Sequence, residues 1–339
     1  MDNNSSRSKK ITLKDIAKAT GFTVNTVSRA LNDKEDISDA TKKLIRETAN
    51  SIGYIGNLAA GSLRTGSTKT IAIILGDISN PVFAILVKEM EKILRDNGYS
   101  ALILNTDETY ILEERAIISA LSKNVDGIII CPTQKDDKDL KMLADNEIPF
   151  VLFGRRFDNS EYNYVIADDK KGGYLATKHL IDKGHKRILS LIGPQYVSSS
   201  RERLDGYRKA LIESNIEPEV ELVREISITT GSCNEVLKRI IKENIKFTAI
   251  SVFSDLLAWE AIYTLNELGF RVPEDIAVVG FDNIQEHIFS PLMLTSVNSS
   301  KSEMARKTVT ALLNIINNNY DSNVYKEVID VELIVRKTS

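Results

Sequence analysis

The sequence predicts an α/β core of two lobes with parallel sheets, preceded by an all-α helix-turn-helix headpiece. Three observations predict this. Beyond Ser67, short β-branched runs alternate with helical stretches, and strand–helix alternation builds parallel sheets flanked by helices. Those runs are continuously apolar rather than alternating, as in strands buried on both faces. Before Ser67 the chain carries helix signals only, with a glycine turn between the first two helices. At 339 residues the chain has room for two or three domains.

Leu13–Thr20 reads as a short helix with Ile16 and Ala17 turned inward. Gly21 breaks it, because glycine tolerates the backbone angles of the turn. Thr23 is a good cap for a second helix, Val24–Asn32. Ser38–Ile52 forms the third, with Leu44, Ile45, Ala49 and Ile52 as its apolar face. A helix-turn-helix lays its second helix in the major groove with N-terminal residues at base edges. Here that helix begins Thr23-Val24-Asn25-Thr26. Val27 packs toward Ile16, and Arg29, one turn past Asn25, shares its exposed face. Asn and Arg pair bidentately with adenine and guanine. The charge agrees: residues 1–66 carry 11 Lys and Arg against 7 Asp and Glu, and the remainder carries 33 against 40. A basic head on an acidic body suits a polyanion.

The core strands are expected at Thr70–Leu75, Ser100–Thr106, Gly127–Cys131, Phe150–Phe153, Tyr164–Ala167, Arg187–Ile192, Leu222–Ile226, Ala249–Phe253 and Ile276–Phe281, with a further run at Val328–Val335. Between the first two, Phe83, Leu86, Val87, Met90, Ile93 and Leu94 form one helical stripe over Phe83–Asn97, which Gly98 ends. So many strands fit two lobes better than one sheet. Ligands bind beyond the carboxyl ends of such strands, and in two lobes those ends can face each other across a cleft.

Apolar residues make up 42% and charged residues 27%, ordinary for a soluble globular protein. No apolar run approaches the ~20 residues of a membrane-spanning helix, so no membrane partner is expected. The polar N-terminus carries no secretory signal, which predicts a cytoplasmic protein. Cys131 and Cys233 are too far apart for a zinc spacing, and His179, His185 and His287 form no HExxH pair. No metal or cofactor is implied. GxSxG, P-loop and Rossmann glycine motifs are absent, so the chain does not read as an enzyme.

The stretch Thr12-Leu13-Lys14-Asp15-Ile16-Ala17 through Thr26-Val27-Ser28-Arg29-Ala30-Leu31-Asn32 resembles the headpiece of the LacI/GalR family of transcriptional regulators. Gly53-Tyr54-Ile55-Gly56-Asn57 is similar to the family's G-Y-x-P-N, with Gly56 where proline is usual. Ala59-Ala60-Gly61-Ser62-Leu63 resembles its hinge helix. The resemblance continues at Ile78-Ser79-Asn80-Pro81, Val125-Asp126-Gly127, Asp168 to Gly173, Gly184-His185, Arg203 to Tyr207 and Val272-Pro273-Glu274-Asp275-Ile276-Ala277-Val278-Val279-Gly280-Phe281-Asp282, and closes at Pro291-Leu292. It covers almost the whole chain, in order.

The resemblance implies a headpiece over 1–56, a hinge over 57–66 and a core over 67–339 like that of periplasmic sugar-binding proteins. The first lobe would hold 67–166 with 298–323, the second 167–297 with 324–339. DNA contacts are implied at Thr12, Leu13, Lys14, Thr23, Val24, Asn25, Thr26, Arg29, Asn32 and Tyr54, and in the hinge at Asn57, Ala60 and Leu63. A hinge this short is not a stable helix in water. Leu63 is expected to be the wedge that enters the minor groove. The chain ends at Ser339 without the C-terminal heptad helix by which some members tetramerise, so a homodimer on an approximately palindromic double-stranded operator is expected.

For the effector, the resemblance implies Arg203 and Asp282. A guanidinium and a carboxylate suit a polyhydroxylated ligand, since each can bond two hydroxyls. Phe83 and Phe281 would give apolar walls, and Asp77, Asn80, Arg155, Ser199, Ser254 and Asp255 complete the expected set. Gly154 stands where many sugar-binding members place an aspartate, and Ser254-Asp255 where Asn-Asp is common. Val82 replaces an aromatic that a stacked nucleobase would use. The expectation is therefore a repressor of carbohydrate-utilisation genes released by a small sugar or sugar phosphate. The alternative is a corepressor-dependent regulator answering a nucleobase or a phosphoprotein partner.

Overall fold

The computed structural model describes residues 11–54, 66–158, 161–229, 231–290, 292–318 and 324–339. The chain divides into two compact units, Met1–Thr68 and Lys69–Ser339. The first holds α1 (Leu13–Thr20), α2 (Val24–Leu31) and α3 (Asp39–Ser51). Gly21 takes φ +75° between α1 and α2, a left-handed angle that costs glycine little. The Thr23 hydroxyl accepts the Thr26 N–H at 3.1 Å, and Ser38 does the same for Thr41 at 3.3 Å, so both helices are capped by side chains. Ile16, Val27, Ala30 and Ile45 are fully buried and form the core with Ala49.

Leu44 departs from the expected face of α3. It is 48% exposed, because neighbours on a helix lie about 100° apart and Ile45, Ala49 and Ile52 already set the inward direction.

The second unit begins with β1 (Thr70–Leu75), α4 (Pro81–Asp96), β2 (Ser100–Asn105), α5 (Tyr110–Ser122), β3 (Gly127–Ile130), α6 (Lys138–Asp145), β4 (Phe150–Phe153) and β5 (Tyr164–Ala167). Then follow α7 (Asp169–Asp182), β6 (Ile188–Ile192), α8 (Ser198–Glu213), β7 (Val223–Glu225), α9 (Ser232–Lys242), β8 (Ala249–Val252), α10 (Asp255–Glu267), β9 (Ala277–Phe281) and β10 (Thr295–Ser299). It closes with α11 (Lys301–Ile316), β11 (Lys326–Ile329) and β12 (Val331–Ile334).

One sheet has the order β11-β5-β4-β3-β1-β2 and is parallel throughout. The other runs β12-β10-β9-β8-β6-β7 and is parallel except for β12, which is antiparallel to β10. In β1, Ile71 to Leu75 are all fully buried, as the continuous apolar run predicts for a strand covered on both faces.

Three expectations need correction here. The run Val328–Val335 is two strands in different sheets, parted at Asp330: β11 beside β5 and β12 beside β10. The assignment of 324–339 to the second lobe therefore fails for β11. Residues 298–299 also belong to the second sheet, through the pairing of β10 with β12, rather than to the first lobe. Finally, β10 gave no strand signal, since Thr-Ser-Val-Asn-Ser is mostly polar. Its Thr295 and Ser296 are nonetheless fully buried because they are hydrogen-bonded: Thr295 to Thr338 and Arg336, Ser296 to Asp255 and Asn283. A satisfied polar group can be buried at little cost.

The chain crosses between the lobes at 167–169, at 299–301 and at Asp330. The first and third crossings are tied together by the Asp168 N–H to the Ile329 carbonyl at 2.9 Å and by Lys171 to Asp330 at 2.5 Å. The largest apolar cluster runs through both lobes, from Ile73, Met90 and Phe153 to Leu180, Tyr207 and Phe281. No helix among the described residues is long and apolar enough to cross a membrane.

Candidate functional site

Two regions carry the predicted residues. On the headpiece, Thr12 and Lys14 are exposed at the start of α1, Thr23, Val24 and Asn25 at the start of α2, and Arg29 in its last turn. Asn32 is exposed just past α2, and Thr26 is half-buried. Leu13 and Tyr54 also pack against the small core. Arg29 is held by Asp36, with Nε to Oδ2 at 2.8 Å and Nη2 at 2.6 Å. Asn57, Ala60 and Leu63 lie outside the described residues.

In the core, a cleft of about 810 Å³, its solvent-facing space included, opens between the lobes. The first lobe contributes Asn80, Phe83, Phe153 and Arg155, and the second contributes Ser199, Arg203, Ser254, Phe281 and Asp282. Asn80 caps α4, accepting the Val82 N–H at 3.1 Å, with Pro81 at the first helical position. This cap plants Phe83 one turn into the helix, where its ring meets Phe153 edge-on at 6.3 Å.

Arg203 rises from α8, which packs closely on α7. A Cβ on Gly173 would stand 2.1 Å from the Arg203 carbonyl oxygen, so only glycine permits this approach. Arg203 donates Nε to Asp169 at 2.8 Å and Nη1 to the Phe253 carbonyl. Its guanidinium lies 3.5 Å from the Phe281 ring centroid and 4.6 Å from that of Phe253, a cation–π arrangement on both rings.

Comparison with known proteins agrees with this geometry. Residues 12–57 match the family described as "Bacterial regulatory proteins, lacI family". Residues 68–337 match "Periplasmic binding proteins and sugar binding domain of LacI family". The chain belongs to the LacI family of transcriptional regulators. Like its relatives it is a DNA-binding transcriptional repressor, not an enzyme. It is 30% identical over 328 residues to the HTH-type transcriptional repressor PurR of Pasteurella multocida (strain Pm70), covering 96% of this chain and 98% of that one. The PurR of Aliivibrio salmonicida (strain LFI1238) is 29% identical over 328 residues, 96% and 98% of the two chains. Among solved structures, a transcriptional regulator CelR–cellobiose complex is 29% identical with a TM-score of 0.73, covering 97% of this chain and all of that one. The lac repressor dimer bound to operator and the anti-inducer ONPF is 26% identical with a TM-score of 0.84, covering 97% and 99%.

Within this LacI-family cleft, two predicted residues are placed elsewhere. Asp255 does not line it. Its carboxylate is fully buried behind Asp282, accepting the Ser296 hydroxyl at 2.5 Å and the Ile284 N–H at 2.9 Å. Asp77 is also absent from the lining. It takes the Ser79 N–H at 2.8 Å and so shapes its own turn. Arg155 does line the cleft, but its fork is engaged by Glu108 at 2.7 and 2.9 Å and by the Pro132 carbonyl at 3.0 Å.

Other lining residues escaped sequence reasoning: Glu108, Asp169, Phe253 and Lys301. Asp169 falls inside the stretch Asp168 to Gly173 that carried the family resemblance, so it could have been found. Lys301 follows a polar strand that gave no signal.

The cleft floor is electrostatically costly. Burial pushes Asp169 up to about 6 against the pull of Arg203. Burial raises Asp282 and Asp255 above the ordinary carboxyl range, and the Asp282 charge adds to the effect on Asp255. Asp282 takes φ +115° and Asn283 φ +52°, angles that L-residues adopt only when their surroundings fix them. Asn283 is so fixed, by the Ser296 hydroxyl at 3.0 Å, Glu286 at 3.1 Å and Arg336 at 2.5 Å. At another lobe–lobe contact, Gln134 of the first lobe accepts the Ser198 N–H at 2.8 Å, and Arg156 reaches Glu202 at 2.6 Å.

Proposed function

We propose that this repressor is gated by a small polyhydroxylated molecule, a sugar, bound between the lobes. One observation carries the reading: among the phenylalanines of the cleft, both lobes bring in hydrogen-bond donors and acceptors. Arg203, Asp282, Ser199 and Ser254 face Asn80 and Arg155 across it. Arg203 lies over the Phe281 and Phe253 rings, which leaves those faces less open to a flat nucleobase, while hydroxyls find partners on both walls. A ligand bridging both walls favours one lobe arrangement over another, and this differential affinity is what shifts an equilibrium. Arg203 and Asp282 bind the ligand. Thr23, Val24, Asn25, Thr26 and Arg29 read the operator, with Thr12, Leu13, Lys14, Asn32, Tyr54, Asn57, Ala60 and Leu63 completing the DNA contacts.

The repressor acts as a homodimer on a near-palindromic operator. A single eight-residue helix (α2) reads few base pairs, and the similar lac repressor structure is a dimer on its operator. Ile103 on β2 and Ile111 and Ile118 on α5 are 44%, 62% and 56% exposed and supply apolar surface for a second copy.

The test titrates sugars and nucleobases against the protein–operator complex, wild type beside Arg203→Ala and Asp282→Ala. Both variants are expected to hold operator and to lose the response. A sugar that releases the operator supports the reading. Wild-type midpoint and amplitude in both variants place the effector elsewhere, and tightening by a nucleobase favours the corepressor mode. By reciprocity, an effector that weakens operator binding tenfold binds the operator-bound protein tenfold more weakly.

A further inference from the structure

We infer that Lys301 reads an ionised oxygen on the effector, a carboxylate or a phosphate, so that the ligand of this cleft is an anionic sugar derivative. Lys301 is the first residue of α11, at one of the crossings between the lobes. It lines the cleft but is only 3% exposed. Among the described residues its Nζ donates one hydrogen bond, to the Ser299 carbonyl at 3.1 Å, and forms no ion pair. An ammonium has three donors, and burying one that is short of acceptors is unfavourable. Such a group persists in a cleft wall when a ligand supplies the missing acceptor.

The start of α11 adds to the same preference. Ser300 caps the helix by accepting the Glu303 N–H at 3.2 Å, and the N-terminus of a 16-residue helix carries partial positive charge that favours anions. Burial lowers the Lys301 pKa, while Asp282 and Asp255 pull it upward. The other arginines of the cleft are already engaged: Arg155 by Glu108, and Arg203 by Asp169 and the Phe253 carbonyl. Lys301 is the cleft cation that forms no ion pair among the described residues, while the remaining donors of Arg203 and the Asp282 carboxylate serve hydroxyls.

This inference rests on the cleft being the effector site, and the experiment separates the two. Calorimetric titrations of the full-length protein use glucose, galactose and ribose, their phosphates, their aldonates, and inorganic phosphate. The proteins are wild type, Lys301→Met and Lys301→Gln. Methionine keeps the length of the chain without its charge, and glutamine keeps a donor for the Ser299 carbonyl; urea unfolding of each variant confirms that it is folded before titration. At least one phosphate or aldonate is expected to bind wild type tenfold or more tightly than its neutral parent. Both variants are expected to lose that preference, binding the anionic form no more tightly than its neutral parent. Binding of aldonates alone assigns a carboxylate, and binding of phosphates alone a phosphate.

Equal binding of neutral and anionic forms, a preference that survives in both variants, or no binding of any anionic probe overturns the role of Lys301. Equal binding abolished by Arg203→Ala does so while leaving the sugar cleft standing. Inorganic phosphate bound by wild type and lost in both variants, with no sugar bound, keeps Lys301 and sinks the sugar reading.

Discussion

Two arginine–aspartate pairs of nearly equal length sit in opposite surroundings. Arg29 and Asp36 meet at 2.6 Å on the headpiece with side chains 44% and 51% exposed. Arg203 and Asp169 meet at 2.8 Å in the cleft with side chains 14% and 4% exposed. In water the first pair contributes little, because solvent screens it and holding two long side chains together costs entropy. It leaves Arg29 available to exchange Asp36 for a base edge or a phosphate. The second pair cannot exchange so freely, since either partner left alone is a buried, uncompensated charge. The same chemistry thus makes a readily switched contact on one surface and a fixed scaffold in the other.

The largest effect should come from breaking the buried pair. Asp169→Ala is expected to lower the stability of the protein by about 3–5 kcal/mol and to abolish the effector response, as read by urea unfolding and by operator release. A loss below 1 kcal/mol would mean that water reaches the pair and that the contrast with the headpiece is overstated.

A third buried charge sharpens the comparison through pH. Glu113 is 1% exposed and accepts the Thr133 N–H at 2.6 Å, yet burial pushes its carboxyl from 4.5 up to about 7. The folded state therefore holds this proton more tightly than the unfolded chain. Its stabilisation is complete below about 4.5 and is lost as pH rises through 7. Glu113→Gln removes that dependence and keeps an acceptor for Thr133. At pH 8 the variant should exceed wild type in stability by about 3 kcal/mol, with the gap falling below about 1 kcal/mol at pH 5. Parallel profiles in denaturant titrations at both pH values would count against burial as the dominant cause.

On the exposed side, Arg29→Ala should reduce affinity for the cognate operator by about tenfold to a hundredfold and relax preference at one base pair per half-site, with folding unchanged. Full sequence preference in that variant would remove Arg29 from the base-reading set. The smallest effect belongs to Asp36→Ala. Thermal stability should stay within about 2 °C of wild type, while binding to non-cognate DNA rises a few-fold as Arg29 is freed for phosphates. Gel shifts at two salt concentrations would show it, and an unchanged non-cognate affinity would mean that Asp36 does not compete with DNA.

The headpiece was legible because its determinants are local. Thr23 as cap, Gly21 at the turn and Val27 against Ile16 all lie within a dozen residues, and the periods of helix and turn show directly in the chain. The strands of the core were legible for a related reason: an apolar run long enough to be buried on both faces has few other uses. What escaped was polar and long-range. β10 is buried through bonds to Asp255, Asn283, Arg336 and Thr338, partners that hydrophobic periodicity cannot anticipate. Asp255 and Asp282 looked equivalent along the chain, each following a strand, and only packing turned one toward Ser296 and the other toward the cleft.

The sequence by itself determined the fold class, the family and the helix-turn-helix of the headpiece, because periodicity, caps and motif spacing act over short stretches. Tertiary structure alone decided that Val328–Val335 parts between two sheets, that Arg155 is engaged by Glu108, and that Lys301 lies buried with one acceptor in the cleft wall. The physical reason is desolvation. The role of a charged side chain depends on what surrounds it once water is removed, and those surroundings come from segments up to about 160 residues distant, as where Lys171 meets Asp330.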